Sequence, residues 1–113
     1  MLPKLFARAT IDAQSPYLEA TRQVMLRTQP EGIAAALRGM AERQDVTSRL
    51  AAIDVPALVI CGEDDAIVPL AEMRGIAEAI PGAKFVSIAS AGHMAPLENC
   101  APVNEAIREF VAV

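Results

Sequence analysis

The stretch at residues 55–69 constrains the fold more than any other part of the chain. It opens with an apolar run, residues 55–61, that contains no charged side chain and ends at a glycine. A run of this length, rich in Val, Ile and Leu, is typical of a strand buried on both faces of a parallel sheet. Three acidic residues follow at once: Glu63, Asp64 and Asp65. Because open α/β sheets bind ligands beyond the carboxyl ends of their strands, this turn is a candidate functional position.

The second half of the chain predicts one strand–helix–strand–helix unit. An amphipathic helix is predicted at residues 70–80, and the Pro-Gly-Ala turn that follows ends it. A second strand is predicted at residues 84–89. A connection of this length indicates that the two strands are parallel. With a last amphipathic helix at residues 101–111, residues 54–113 are predicted to be a βαβα unit of the α/β class.

The first half of the chain predicts helices only. Helices are predicted to begin near Pro16 and Pro30, since proline suits the first position of a helix. A short helical piece is predicted at residues 45–52, with Asp45 as its cap. Residues 1–15 have no clear period and are expected to be irregular or partly frayed. Residues 1–53 are therefore interpreted as a small helical segment that precedes the α/β unit.

Composition excludes several classes of partner. The net charge is −4 and aromatic residues make up 4% of the 113 residues, so neither nucleic acid nor an anionic membrane is expected as a partner. No stretch approaches the length of a membrane span. Cys61 and Cys100 do not have metal-ligand spacing, and a reducing cytoplasm is the expected setting. No Gly-rich phosphate loop follows either strand, and no cofactor is expected.

The apolar content indicates that something else covers part of this chain. Hydrophobic residues make up 53% of it, and the mean hydropathy is +0.31, both high for so short a chain. Two parallel strands do not normally form a stable sheet alone. We therefore expect further strands to come from a companion chain or from a second copy in a homo-oligomer such as a dimer.

Two short motifs carry the possible chemistry. The first is residues 62–69, Gly-Glu-Asp-Asp-Ala-Ile-Val-Pro, and the second is residues 91–98, Ala-Gly-His-Met-Ala-Pro-Leu-Glu, which contains the only histidine. The first resembles the G-x-x-D-x-[IV]-x-P turn that carries the acid of α/β-hydrolase fold enzymes. The second resembles the segment that carries their histidine. Residues 2–53 also look like the helical cap of bacterial members similar to 3-oxoadipate enol-lactonases and haloperoxidase-like esterases.

The resemblance implies a partial α/β-hydrolase fold and two catalytic roles. Asp65 stands where the family's acid orients the imidazole, and His93 stands where the base takes the proton of the nucleophile. Asp64 and Glu63 are alternatives for the acid, and Asp65 is preferred because it lies three residues after the glycine, as in the motif. Glu98 is expected to be a capping or surface acid. The implied substrate is a small ester, lactone or similar acyl compound.

One part of the family's machinery is missing from this sequence. The nucleophile elbow G-x-S-x-G needs two glycines four positions apart, and no pair of the six glycines has that spacing. The isolated chain is therefore expected to hydrolyse little or nothing. Two functions follow as hypotheses: the C-terminal part of a hydrolase that is completed elsewhere, or a non-catalytic module of hydrolase origin that self-associates through its sheet.

Overall fold

A computed structural model describes residues 1–112, and the beginning of the chain is more ordered than predicted. Two short helices, α1 (Leu2–Leu5) and α2 (Arg8–Asp12), occupy most of the first twelve residues. Between them, Phe6 and Ala7 are buried, with 2% and 1% of their surface exposed. The prediction of an irregular or frayed start is therefore wrong. This segment is ordered by the burial of two adjacent residues, Phe6 and Ala7. Two adjacent apolar residues do not produce a helical period, so the sequence pattern did not reveal this order.

The predicted helical segment continues as two longer helices and one short one. The helices α3 (Pro16–Arg27) and α4 (Pro30–Glu42) both begin at a proline. A 3₁₀ helix follows at Thr47–Ala52. Ahead of it, the Asp45 carboxylate accepts a hydrogen bond from the backbone N–H of Thr47 at 2.8 Å. Neither α3 nor α4 contains a buried residue. Leu18 and Met25 are half-buried, and most of the other apolar side chains of these helices are exposed.

Two parallel strands, β1 (Leu58–Gly62) and β2 (Lys84–Ile88), form the sheet of the described residues. The register places Val59 opposite Phe85. Both predicted strands and their parallel pairing are confirmed. β1 begins at Leu58 rather than at residue 55 because Pro56 has no backbone N–H to contribute to a ladder.

Helices cover both faces of this sheet. Three follow β1 in the chain: α5 (Leu70–Ala79), the single turn α6 (Ala95–Glu98) and α7 (Cys100–Val111). On one face, Ile88 packs in the buried cluster that includes Val103 of α7. On the other face, the guanidinium of Arg74 in α5 lies 4.7 Å from the ring centroid of Phe85. The predicted α/β class is confirmed.

The outer edge of β1 is uncovered. The N–H of Lys84 donates to the carbonyl of Ala57, and the N–H of Glu63 donates to that of Ile88, both at 2.9 Å. In a parallel ladder this pattern turns the backbone of every second residue toward the neighbouring strand. Leu58 and Ile60 therefore direct their N–H and C=O groups away from β2, to an edge that no strand of residues 1–112 occupies.

Candidate active site

The acidic turn is closed by the carboxylate of Asp65 itself. Its Oδ1 accepts hydrogen bonds from the backbone N–H groups of Ile67 at 2.8 Å and Val68 at 3.0 Å. The N–H of Asp65 donates to the carbonyl of Gly62 at 3.2 Å. This is the local turn that an aspartate forms readily, because its short side chain reaches backbone groups two or three residues on. One carboxylate oxygen therefore fixes the turn, and Oδ2 is left for another partner.

That partner is His93. Nδ1 of its imidazole lies 3.0 Å from Oδ2 of Asp65. The Asp65 side chain is 7% exposed and the His93 side chain 38% exposed, so the carboxylate lies beneath the ring and the ring meets solvent. The turn that carries His93 leaves β2 through Ser90, which has a left-handed backbone with φ of 54°. The two residues predicted to form the acid–base pair are in direct contact.

The backbones of the two turns are also joined. The N–H of Asp64 donates to the carbonyl of Ala91 at 2.9 Å. Gly62 lies so close to the second turn that a Cβ built on it would collide with the carbonyl oxygens of Ala91 and Gly92. Only glycine permits this approach. The acid turn and the histidine turn therefore form one packed unit at the carboxyl ends of the two strands.

The structure also places the two alternative acids. Glu63 accepts a hydrogen bond from the hydroxyl of Ser87 at 3.2 Å. Asp64 is exposed, and its contribution to the site is its backbone N–H. Of the three acids in this turn, Asp65 is the one whose carboxylate contacts the imidazole.

Hydrogen bonding favours the charged form of Asp65. Partial burial raises the pKa of its carboxyl, but hydrogen bonds from the Val68 N–H, the His93 ring and the Ile67 N–H outweigh burial and hold that pKa below the ordinary value of 3.8. Asp65 is therefore an anion at neutral pH. Because a carboxylate can only accept, the hydrogen of a neutral His93 lies on Nδ1, and Nε2 keeps a lone pair that can accept a proton.

An apolar cavity of about 310 Å³ adjoins this pair. Asp65 and His93 line it, together with hydrophobic side chains from β1, α5 and α7 that include Ile60, Met73 and Val103. A site with mostly apolar walls and a few polar groups is typical of small-molecule binding. Among residues 1–112 there is no cluster of three His, Cys, Asp or Glu side chains that could hold a metal ion. No helix in that range is long and apolar enough to cross a membrane.

Sequence reasoning missed the role of Glu98. Its Oε1 accepts hydrogen bonds from the N–H of Ala7 at 2.6 Å and the hydroxyl of Thr10 at 2.8 Å, and its Oε2 accepts one from the N–H of Gly92 at 2.7 Å. The expectation of a capping or surface acid is wrong, since the half-buried carboxylate joins the start of the chain to the histidine turn. Its place five residues after His93 was the only available signal, because two of its partners are 91 and 88 positions away.

Known proteins show the same fold and similar sequences. A sequence model of the alpha/beta hydrolase fold family matches residues 8–99. The structure is similar to that of a thermophilic esterase from Thermogutta terrifontis, with a TM-score of 0.94 and 44% identity over 98% of this chain and 41% of that one. It is also similar to the enol-lactonase from Burkholderia xenovorans LB400, with a TM-score of 0.88 and 29% identity over 97% of this chain and 42% of that one.

A similar sequence is also found in a bacterial esterase. The pimeloyl-[acyl-carrier protein] methyl ester esterase of Xanthomonas campestris is 37% identical over 90 residues, which are 77% of this chain and 36% of that protein. This chain thus spans about two fifths of the length of these relatives, so it has part of their fold. The predicted resemblance is confirmed, and the chain belongs to the alpha/beta hydrolase fold family.

Proposed function

We propose that this chain supplies the acid and the base of a Ser-His-Asp triad in a hydrolase of small ester, lactone or similar acyl substrates. Asp65 is the acid and His93 is the base. The proposal rests on one observation, the 3.0 Å contact between Asp65 Oδ2 and His93 Nδ1 at the carboxyl ends of adjacent parallel strands. Relatives named as an esterase and an enol-lactonase support this class of substrate.

The chemistry follows from the orientation of the imidazole. With its Nδ1–H held by Asp65, His93 accepts the proton of an attacking hydroxyl at Nε2 and returns it to the leaving group. The Asp65 anion stabilises the imidazolium formed between these steps. The sequence has no G-x-S-x-G elbow, so we propose that the nucleophile and the oxyanion hole come from a polypeptide segment outside these 113 residues. Residues 1–53 would then serve as part of the cap.

A chimera tests the proposal directly. This chain would replace the matching 41% of the Thermogutta terrifontis esterase, which then supplies the remaining strands. We expect the chimera to hydrolyse p-nitrophenyl esters and the Asp65→Asn substitution to lower kcat by about 10⁴-fold, because an amide at this position favours the wrong histidine tautomer. His93→Ala should lower it at least as much. The matched control is Asp64→Asn, one residue away, which should leave kcat within about threefold.

Two outcomes would contradict this proposal. One is a cooperatively folded chimera without esterase activity. The other is a chimera in which Asp64→Asn or Glu63→Gln abolishes activity and Asp65→Asn does not. A separate assay uses the 113-residue chain alone, for which we expect no turnover above background. Turnover that His93→Ala removes would show that the chain already contains its nucleophile.

A second candidate function is a non-catalytic module that self-associates. The uncovered edge of β1 favours it, since an unpaired strand edge is a template for another strand. Exposed apolar side chains on α3 and α4 add to this, among them Val24, Leu37 and Met40 at 66%, 57% and 65% exposure. Sedimentation equilibrium would decide, because a folded monomer at micromolar concentration contradicts this function.

We also propose a cytoplasmic location. The support is that both cysteines, Cys61 and Cys100, carry free thiols. Free thiols are the usual state of cysteine in a reducing compartment. Cell fractionation of the source organism with an antibody against this chain would check the location, and recovery in a secreted fraction would contradict it.

A further inference from the structure

The turn that carries His93 is held on both sides by the start of the chain. The N–H of Met94, directly after the histidine, donates to the carbonyl of Leu5 at 3.1 Å. The N–H of Gly92, directly before it, donates to the carboxylate of Glu98 at 2.7 Å, and that carboxylate also binds the N–H of Ala7 at 2.6 Å. Both neighbours of the histidine are thereby tied to residues 5–7.

Gly92 of the histidine turn packs so closely against residues 5–7 that a larger residue would not fit there. A Cβ built on Gly92 would lie 2.7 Å from the backbone nitrogen of Ala7 and 3.0 Å from the carbonyl carbon of Phe6. Phe6 and Ala7 are themselves almost fully buried. The backbone of Gly92 therefore packs directly against a buried segment. A bond that holds Gly92 on this segment also holds the Cα of His93, one residue on.

We propose that Glu98 is the positioning residue of His93: its carboxylate fixes the Gly92 N–H, and so sets the distance between the imidazole and Asp65. This inference deepens the proposed function and rests on it for its catalytic meaning. Glu98 acts through the backbone. Both of its carboxylate oxygens are occupied, Oε1 by Ala7 and the Thr10 hydroxyl and Oε2 by Gly92, so it contacts neither reacting group directly.

The chemistry of the three donors explains why this position needs a carboxylate. Two backbone N–H groups and one hydroxyl all point their hydrogens at the same side chain. A carboxylate accepts at both oxygens and makes stronger bonds because it is charged. The amide of glutamine has the same shape, but its NH₂ group faces at least one of these donors and leaves that donor without an acceptor. Glu98→Gln therefore removes one side of the connection with little change in volume.

The single histidine makes the test specific. When this chain is labelled with ¹⁵N-histidine, every imidazole signal belongs to His93. At a pH where the ring is neutral, we expect one tautomer, with the hydrogen on Nδ1, because Asp65 accepts it. In Glu98→Gln we expect a mixture of both tautomers, as in Asp65→Asn, which serves as the positive control. In the matched control Thr10→Val, which removes one of the two donors to Oε1 and leaves the bond to Gly92, we expect the single tautomer to persist.

The tautomer separates positioning from simple stabilisation. Glu98→Gln and Thr10→Val both remove hydrogen bonds, and both should lower the melting temperature measured by circular dichroism. If Glu98→Gln lowers that temperature and leaves the tautomer unchanged, the proposal is overturned. Amide exchange in the unsubstituted chain gives a check that needs no folded variant. The Gly92 amide should exchange much more slowly than that of the exposed Gly82, and equal rates would overturn the proposal.

Activity in the chimera gives the catalytic readout. There we expect Glu98→Gln to lower kcat by about 10- to 100-fold, with KM within about twofold, because a displacement of roughly 1 Å at a catalytic group has effects of this size. Thr10→Val should lower kcat less than fivefold. An inactive chimera with the expected tautomer change would refute the proposed function and leave the positioning role supported. An active chimera whose kcat does not respond to Glu98→Gln would refute the positioning role alone.

Discussion

The helices at residues 16–42 differ from the acid turn and the histidine turn in how many contacts hold them to the rest of the chain. No residue of α3 or α4 is buried, and their side-chain interactions are local ones such as the Arg22–Glu19 ion pair at 3.6 Å. The two turns, in contrast, are joined by backbone hydrogen bonds, by the Asp65–His93 contact and by the Glu98 carboxylate. The difference shows that the contact between Asp65 and His93 is organised within this chain, whereas residues 1–112 leave much of the apolar surface of the two helices exposed.

The largest expected effect on stability compares the buried cluster beneath the histidine turn with the exposed helices. Ile88→Ala, at a side chain only 1% exposed, should reduce the free energy of unfolding by about 2–5 kcal/mol because it leaves a cavity. The matched control is Leu37→Ala in α4, 57% exposed, which should change it by less than about 0.5 kcal/mol. Urea denaturation followed by circular dichroism measures both. Comparable losses would show that α4 is packed against the rest of the chain in solution.

A pair of glycines sharpens the comparison at the level of the backbone. Gly62→Ala should destabilise the chain by about 1–3 kcal/mol, since the new methyl group meets the carbonyls of Ala91 and Gly92. Gly75→Ala, in the interior of α5 with nothing within 4 Å of the new Cβ, should stabilise it by about 0.5–1 kcal/mol. Thermal melts of the two variants should shift in opposite directions. A neutral Gly62→Ala would mean that the two turns are not packed as described.

The smallest effect concerns acid stability. The pKa of Asp65 is lower in the folded chain than its ordinary value of 3.8, so its contribution to stability is complete above that pH and is lost as the pH falls through the lowered pKa. Asp65→Asn should therefore flatten the pH dependence of unfolding below about pH 4. Asp45 also has a lowered pKa, from its side-chain and backbone hydrogen bonds to Thr47, but it is exposed. Asp45→Asn should flatten the curve less, and an equal effect would contradict the distinction between the regions.

Sequence patterns predicted the second half of the chain well and the first twelve residues poorly, for a physical reason. The first strand has an apolar run and α5 has apolar residues at helical spacing, because each is buried against its neighbours. The local sequence therefore indicates these elements. The helices α1 and α2 are each a turn or so long and have no such period. They are ordered by Phe6 and by bonds to Met94 and Glu98, which are about ninety positions away.

In the candidate site too, the features set by local sequence were predicted and the contacts between distant residues were not. The order of an acidic turn and a histidine after consecutive strands was visible in the sequence, and the structure brings Asp65 and His93 together. The choice among three adjacent acids depended on the motif, since Glu63, Asp64 and Asp65 differ in which way the turn directs each side chain. Two of the three donors to Glu98 could not be found from the sequence, because Ala7 and Thr10 lie about ninety positions away from it.

The two ends of the exposed helical segment are fastened to different parts of the α/β unit. Before it, residues 5–10 are bound to the histidine turn, and after it the 3₁₀ helix Thr47–Ala52 packs against α5. Because α3 and α4 between these two attachments contain no buried residue, we expect changes in their exposed side chains to leave the imidazole and its carboxylate in place. Under the proposed function, we therefore expect replacement of residues 16–42 to alter substrate preference and to leave the Asp65–His93 contact in place.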